Sequence, residues 1–136
     1  MNKTSAIEWL RKAWHNLSAA KVLYEVNHYS DVTAIELHYG VEKTLKSFLA
    51  YENKKIPKTH DLNEIHELIF SLIEFSDEDF ELLDTITEYH IEESYPAFDR
   101  LLPSKSEIKK ILEFAEELFD NVCKILNINK EEIINE

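Results

Sequence analysis

The sequence is poor in the residues that break helices and build tight turns. Glycine occurs once, at Gly40, and proline three times in 136 residues. A phosphate-binding loop needs several glycines whose backbone approaches the phosphate closely, and β-sandwiches and barrels need many glycine-rich turns, so these classes are excluded. With 44% hydrophobic residues, the scarcity of helix breakers predicts long helices joined by few loops.

Cysteine and long apolar runs are also scarce. The single cysteine, Cys123, cannot form an intramolecular disulfide, and its helical apolar surroundings predict a small buried side chain. The first residues contain no apolar signal core, and no apolar run approaches the ~20 residues of a membrane span. We therefore expect a cytoplasmic protein that does not associate with membranes.

Positive charge is in short supply. Lysine and arginine total 15 against 27 aspartates and glutamates, giving a net charge of −12. An acidic chain repels nucleic-acid phosphates, which argues against general DNA binding. The charge is uneven, however, with +3 over residues 1–60 and −15 over residues 61–136. The first part therefore keeps one basic zone in which an anion could bind.

The hydrophobic spacing predicts five helical segments. Apolar residues recur at intervals of three and four, and the segments are separated by polar stretches near 27–30, 53–60 and 94–103 and by the cap at Ser76 or Asp77. The predicted N-caps are Ser5, Asp31, Asp61, Ser76 or Asp77, and Ser104 or Ser106. The fold class is therefore all-α: an up-and-down four-helix bundle with an additional short helix. We expect a single domain over residues 1–136, with a polar, frayed tail after about residue 127.

No spacing in the sequence predicts a metal centre. A di-iron site in a bundle needs a Glu-x-x-His pair on each of two helices, and here only Glu25 with His28 shows it. His60, Glu64 and Glu67 share a helix face, but this face also fits a solvated first turn, and no second helix supplies matching ligands. We expect no metal and no cofactor.

The basic zone centres on the second predicted helix. Lys43 and Lys46 are three residues apart and so are neighbours, and three further lysines follow in the loop 53–60. A phosphate could bind there. The alternative is an ordinary solvated helix face that carries a weak Glu42–Lys46 pair.

Two junctions and two histidines add further candidates. His60 and Asp61 lie where the basic loop enters the third helix, and Tyr95 precedes a proline where the fourth helix breaks. The proline forces Tyr95 out of the α region, which aims its ring at a cleft or makes it a lid over the bundle end. His38 and His90 fall on or near apolar stripes, where a hydrogen-bonded core histidine is the usual case.

The ordered set of motifs resembles the HEPN family, the higher eukaryotes and prokaryotes nucleotide-binding domain. The likeness extends from about Trp9 to Ile125. Its main elements are AIELHYGVEKTLKSFL at 34–49, PKTHDL at 57–62 and the Tyr-Pro step at 95–96. The resemblance implies an all-α bundle that is often dimeric and cytoplasmic. The resemblance also implies a protein that often acts beside a minimal nucleotidyltransferase in toxin–antitoxin pairs.

Many members of that family are RNases that use an arginine followed, after four to six residues, by a histidine. The only arginines here are Arg11 and Arg100. Only three residues lie between Arg11 and His15, one fewer than the motif requires, and Arg100 has no later histidine. Ser94 also stands where members often have an arginine before Tyr-Pro. The resemblance therefore implies a family fold without the usual catalytic pair, and we expect no catalytic residues.

The main hypothesis is thus a non-catalytic HEPN-like module. It would bind a nucleotide such as ATP or GTP, RNA, or a protein partner such as a minimal nucleotidyltransferase. The predicted ligand-binding residues are Lys43, Lys46, His60, Asp61 and Tyr95. The alternatives are an RNase toxin with an atypical site, such as His60 with His90 and Lys43, and a structural homodimer without ligand. Many aromatic residues on the first two helices also predict a homodimer.

Overall fold

Four long helices contain most of the chain in the computed structural model, which describes residues 1–94 and 102–134. Six helices occur in these ranges, and no strand is found among them. In chain order they are α1 (Lys3–Glu25), α2 (Ser30–Tyr51), α3 (Leu62–Glu67), α4 (Asp77–Ser94), α5 (Lys105–Ile125) and α6 (Glu131–Ile134). The all-α bundle predicted from the sequence is confirmed.

Helix α2 is the centre of the bundle, because α1, α3, α4 and α5 all pack against it. Its closest neighbour is α1, to which a short turn connects it as an antiparallel hairpin. Gly40 allows this approach, since a Cβ at that position would lie 2.8 Å from Leu17 Cγ. The close packing buries α2 on nearly all sides, including Glu42 and Lys46. The ordinary solvated face considered for this helix is therefore not present.

Three of the predicted N-caps are confirmed. Asp61 accepts hydrogen bonds from the backbone N–H groups of Asn63 and Glu64. Ser76 and Asp79 form a reciprocal capping box at the start of α4, and Ser104 caps α5.

Two predicted caps were wrong. Asn2 caps α1 in place of Ser5, whose own backbone N–H donates to the Asn2 side chain. Asp31 lies inside the first turn of α2, after an N-cap residue, Tyr29, that makes no side-chain capping bond.

Asparagine performs the helix-ending role that glycine usually has. Asn27, Asn53 and Asn127 have φ angles of 58°, 56° and 55° and follow α1, α2 and α5. At each one the asparagine N–H and the next N–H donate back to carbonyls of the last helical turn, as in a Schellman motif. Asparagine tolerates the left-handed conformation better than most residues, which explains how the chain ends long helices with almost no glycine.

Residues 128–134 pack against the rest of the bundle, which differs from the frayed tail expected from their polarity. Ile128 and Ile133 are buried, and α6 lies against α1. The turn at Asn127 reverses the chain, so that two isolated isoleucines reach the core although no periodic stripe is present. Among the described residues, no helix has both the length and the apolar character needed to cross a bilayer.

Candidate functional site

The candidate site is built around Glu42, a carboxylate inside the bundle. His38, Glu42 and Lys46 are spaced four residues apart on α2, so their side chains lie above one another on one face. On this face His38 contacts Ile86 of α4, and Glu42 contacts His60 in the loop before α3. The side chains of Glu42 and Lys46 are each 6% exposed, and that of His38 is fully buried.

Glu42 accepts three polar contacts from side chains. Its Oε1 lies 3.1 Å from Nε2 of His38 and 2.7 Å from Nδ1 of His60, while Oε2 lies 3.1 Å from Nζ of Lys46. Burial by itself raises the pKa of Glu42. The hydrogen bonds from the two histidines and the charge and hydrogen bond of Lys46 outweigh burial and lower the pKa from 4.5 to about 2. The site therefore contains a fixed negative charge.

His38 has an acceptor at each ring nitrogen. Nδ1 lies 2.9 Å from the carbonyl oxygen of Ile86 on α4, and Nε2 faces the carboxylate. Because a carbonyl can only accept, Nδ1 carries a proton. A neutral ring has no second proton, so its Nε2 lone pair would face the ionised oxygen of Glu42. The arrangement requires a positive species at Nε2, either a second proton or a bound cation.

His60 forms the exposed edge of the site. It lies in the loop that enters α3, and 46% of its side-chain surface is exposed. Its ring stacks on that of His90 from α4, with centroids 4.1 Å apart and planes inclined by 21°. Since Nδ1 faces Glu42, the other nitrogen, Nε2, is left without a hydrogen-bond partner among the described residues. The site thus presents one oriented imidazole nitrogen to solvent.

Aromatic rings extend this surface along α2. Tyr39 meets His90 edge-on, at 5.9 Å between centroids, and also meets His38 in the same way. Lys43 lies with Nζ 5.6 Å from the centroid of the Tyr39 ring. A row of flat side chains therefore extends from His60 through His90 to Tyr39.

Only some of the predicted ligand-binding residues lie at the Glu42 site. Lys46 and His60 meet through Glu42, as described above. Lys43 donates to Asn16 on α1, and burial lowers its pKa despite the attraction of Glu42 and Glu36. Asp61 is an exposed residue whose carboxylate caps α3, and Tyr95 lies outside the described residues.

Sequence reasoning missed Glu42 as the centre of the site and His38 as its buried partner. The signal was present in the four-residue spacing of His38, Glu42 and Lys46 within an apolar helix. This spacing indicates a site only when the packing of the neighbouring elements against that face is known. His60 and Glu64 do not share a site, because the Glu64 carboxylate accepts a hydrogen bond from Thr59 instead.

Comparison with known proteins supports one family. The family model described as HEPN domain matches residues 6–126, which is nearly the whole chain. No curated protein and no solved structure gives a significant match. On the strength of the family match, this chain belongs to the HEPN domain family.

Proposed function

We propose that this HEPN module binds a nucleotide or an RNA end at the surface formed by His60 and His90. The orientation of His60 is the observation that carries the proposal. Glu42 holds Nδ1 at 2.7 Å and leaves Nε2 directed away from the carboxylate, on a half-exposed ring. A carboxylate in this position fixes the orientation of the ring. When Nε2 carries a proton, it can donate a hydrogen bond to a phosphate oxygen.

The surroundings of His60 suit the other parts of a nucleotide. Lys55 and Lys58 are exposed in the loop before His60 and add positive charge that a phosphate would meet. The outer faces of the stacked His60 and His90 rings are flat π surfaces, on which a base could stack without sequence preference. Lys46 supports the site indirectly, since it is bound to the buried oxygen of Glu42. Asp61 is assigned to helix capping.

We further propose that the module is not a nuclease of the type that uses an arginine followed, after four to six residues, by a histidine, because the sequence has only two arginines and neither has the required spacing. The Glu42–His60 pair nevertheless favours a second candidate, acid–base cleavage of RNA. A histidine whose one nitrogen is held by a carboxylate can accept a proton at the other nitrogen. His90, stacked at 4.1 Å, would be the second titratable group of such a site.

One experiment separates binding from cleavage. Untagged protein is titrated with ATP, GTP and a short RNA in the presence of a chelator, and the RNA samples are then analysed for cleavage. We expect binding that His60→Ala weakens at least about tenfold, as for the loss of a charge-assisted hydrogen bond. His15→Ala, which changes an exposed histidine on α1, is the matched control.

The possible results point to different conclusions. Absence of binding at millimolar ligand, or equal binding by His60→Ala, would overturn the nucleotide proposal. RNA cleavage that disappears in His60→Ala would establish the second candidate instead.

A protein partner and self-association belong to the same proposal. Val22, Val26 and Tyr29 are 57%, 66% and 71% exposed around the α1–α2 turn, which gives this end of the hairpin an apolar surface. We propose that it mediates contact with a second copy of the chain or with a minimal nucleotidyltransferase. Analytical ultracentrifugation with Tyr29→Ser tests the homodimer, and co-purification from the native cell tests the partner. A monomer at micromolar concentration would reject the homodimer.

A further inference from the structure

We propose that His38, Glu42 and His60 form a binding site for a single divalent transition-metal ion, with Zn²⁺ as the best fit. The ligand atoms would be Nε2 of His38, Oε1 of Glu42 and Nδ1 of His60, which all lie within 4.8 Å of one another. The metal site shares Glu42 and His60 with the proposed nucleotide site, but it does not require that a nucleotide binds.

The distances suit a small tetrahedral ion. Oε1 of Glu42 is 3.1 Å from Nε2 of His38 and 2.7 Å from Nδ1 of His60. Zinc bonds to nitrogen and oxygen are about 2 Å long, which places the corners of a tetrahedron about 3.3 Å apart. The two nitrogens lie within 4.8 Å of one another, so the ion would be admitted by a small movement of the carboxylate away from both nitrogens and an adjustment of the two rings to the same spacing. Two imidazoles and one carboxylate are a donor set for zinc and its neighbours, whereas Mg²⁺ and Ca²⁺ prefer oxygen ligands.

The protonation of His38 provides an independent reason. Its Nδ1–H is directed to the carbonyl of Ile86, so Nε2 of the neutral ring presents a lone pair to the Glu42 carboxylate. Both residues are buried, at 0% and 5% exposure, and facing lone pairs in such a place must be separated by positive charge. A metal ion at Nε2 satisfies this requirement, as a second proton on the ring also would, and it does so with the tautomer that the structure already imposes.

The groups behind the ligands are those that metal sites use. A metal-bound histidine usually donates its other N–H to a carbonyl or carboxylate, and Ile86 supplies this acceptor to His38. Lys46 holds Oε2 of Glu42 and leaves Oε1 for the ion. The half-exposed ring of His60 lies on the solvent side, which provides an entry path and a fourth coordination position for water.

Metal binding at this site would release protons. The ion replaces the proton that Nδ1 of His60 directs to Glu42 and any second proton on His38, and these protons are released to solvent. His60 then carries its remaining proton at Nε2. Affinity should accordingly fall as the pH is lowered, because protons compete with the metal for both nitrogens.

The test is a titration of the untagged full chain with Co²⁺ after dialysis against a chelator. The readout is the visible absorption of tetrahedral Co²⁺, followed by competition with Zn²⁺. We expect one ion per chain, an affinity at least about tenfold lower in His60→Ala and in Glu42→Gln, and no change in His15→Ala or His28→Ala. His60 is half-exposed, so its variant should fold even if Glu42→Gln does not, and circular dichroism checks this.

Two results would overturn the proposal. One is the absence of stoichiometric binding at micromolar Co²⁺. The other is binding that His60→Ala leaves unchanged, which would assign the ion to other surface groups. Since the nucleotide titration is carried out with chelator, its failure would not affect this result, and the reverse also holds.

Discussion

Oε1 of Glu42 lies 2.7 Å from Nδ1 of His60, although the two residues are 18 positions apart and belong to different elements. The carboxylate is supplied by the buried centre of α2, and the imidazole by the loop that enters α3. Their contact joins the interior of the bundle to its surface. The chemistry at His60 therefore depends on the charge of Glu42, whose side chain is only 6% exposed.

Removal of the Glu42 charge should destabilise the fold. In Glu42→Gln, Lys46 keeps a buried charge without its anionic partner, and the amide cannot accept from all three neighbours as the carboxylate does. We expect a loss of about 3 kcal/mol in the free energy of unfolding, measured by urea denaturation. Glu113→Gln, at an exposed position on α5, is the control and should change stability by less than about 0.5 kcal/mol. Equal stability of the two variants would contradict the buried ion pair.

The stability should depend on pH through Glu42. Its pKa is lowered in the folded state from 4.5 to about 2, so the charged form stabilises the fold above pH 4.5. This contribution, about 3 kcal/mol, is lost as the pH falls towards the folded pKa. Urea midpoints at about pH 5 and about pH 3 should therefore differ more for the wild type than for Glu42→Gln. Parallel curves for the two proteins would exclude Glu42 as the source.

Gly40→Ala should destabilise the α1–α2 hairpin by about 1 kcal/mol. The new Cβ would overlap Cδ2 and Cγ of Leu17, which is 2% exposed, and this overpacking outweighs the gain in helix propensity. The sign should reverse in a Leu17→Ala background, where the space is open and only the propensity gain of up to about 1 kcal/mol remains. Thermal unfolding of the four proteins of this cycle measures both effects. A destabilisation that persists in the Leu17→Ala background would show that Leu17 is not the obstacle.

Asp61 should act as a cap and not as a ligand-binding residue. Asp61→Ala removes the acceptor for the N–H groups of Asn63 and Glu64 and should cost about 1 kcal/mol. Asp61→Asn preserves the cap and should lower the free energy of unfolding by only a few tenths of about 1 kcal/mol. Chemical denaturation measures the two variants, and a nucleotide titration of Asp61→Asn should match that of the wild type. A tenfold loss of binding in Asp61→Asn would instead place the carboxylate in the binding site.

Ile133→Ala should destabilise the protein by about 2–4 kcal/mol, as expected for a large-to-small change in a core. Ile133 is 1% exposed in α6, which packs against α1. Ile125→Ala, at a position that is 47% exposed, should cost less than about 1 kcal/mol. Urea denaturation compares the two. A cost below that of Ile125→Ala would mean that the end of the chain contributes little to folding.

Five of the six described helices could be predicted because their signals are local, whereas α6 lies in the stretch that was expected to be frayed. The apolar stripes, and the caps at Asp61, Ser76 and Ser104, depend on residues within one or two turns, and the structure confirms them. The cap at Ser5 was wrong because a competing acceptor, Asn2, lies three residues earlier and starts the helix sooner. The buried tail could not be predicted, because Ile128 and Ile133 have no periodic neighbours and are buried only by contact with distant helices.

The sequence by itself determined the fold class and the family, since both depend on the order of residues along the chain and on apolar spacing within each helix. The sequence also predicted His60 and Lys46 as ligand-binding residues. Only the tertiary structure decided that Lys46 is buried against Glu42 and that His38, His60 and His90 meet there. These contacts join α2, α4 and the loop before α3. They form because several apolar faces bury the central helix together, and no single segment specifies that arrangement.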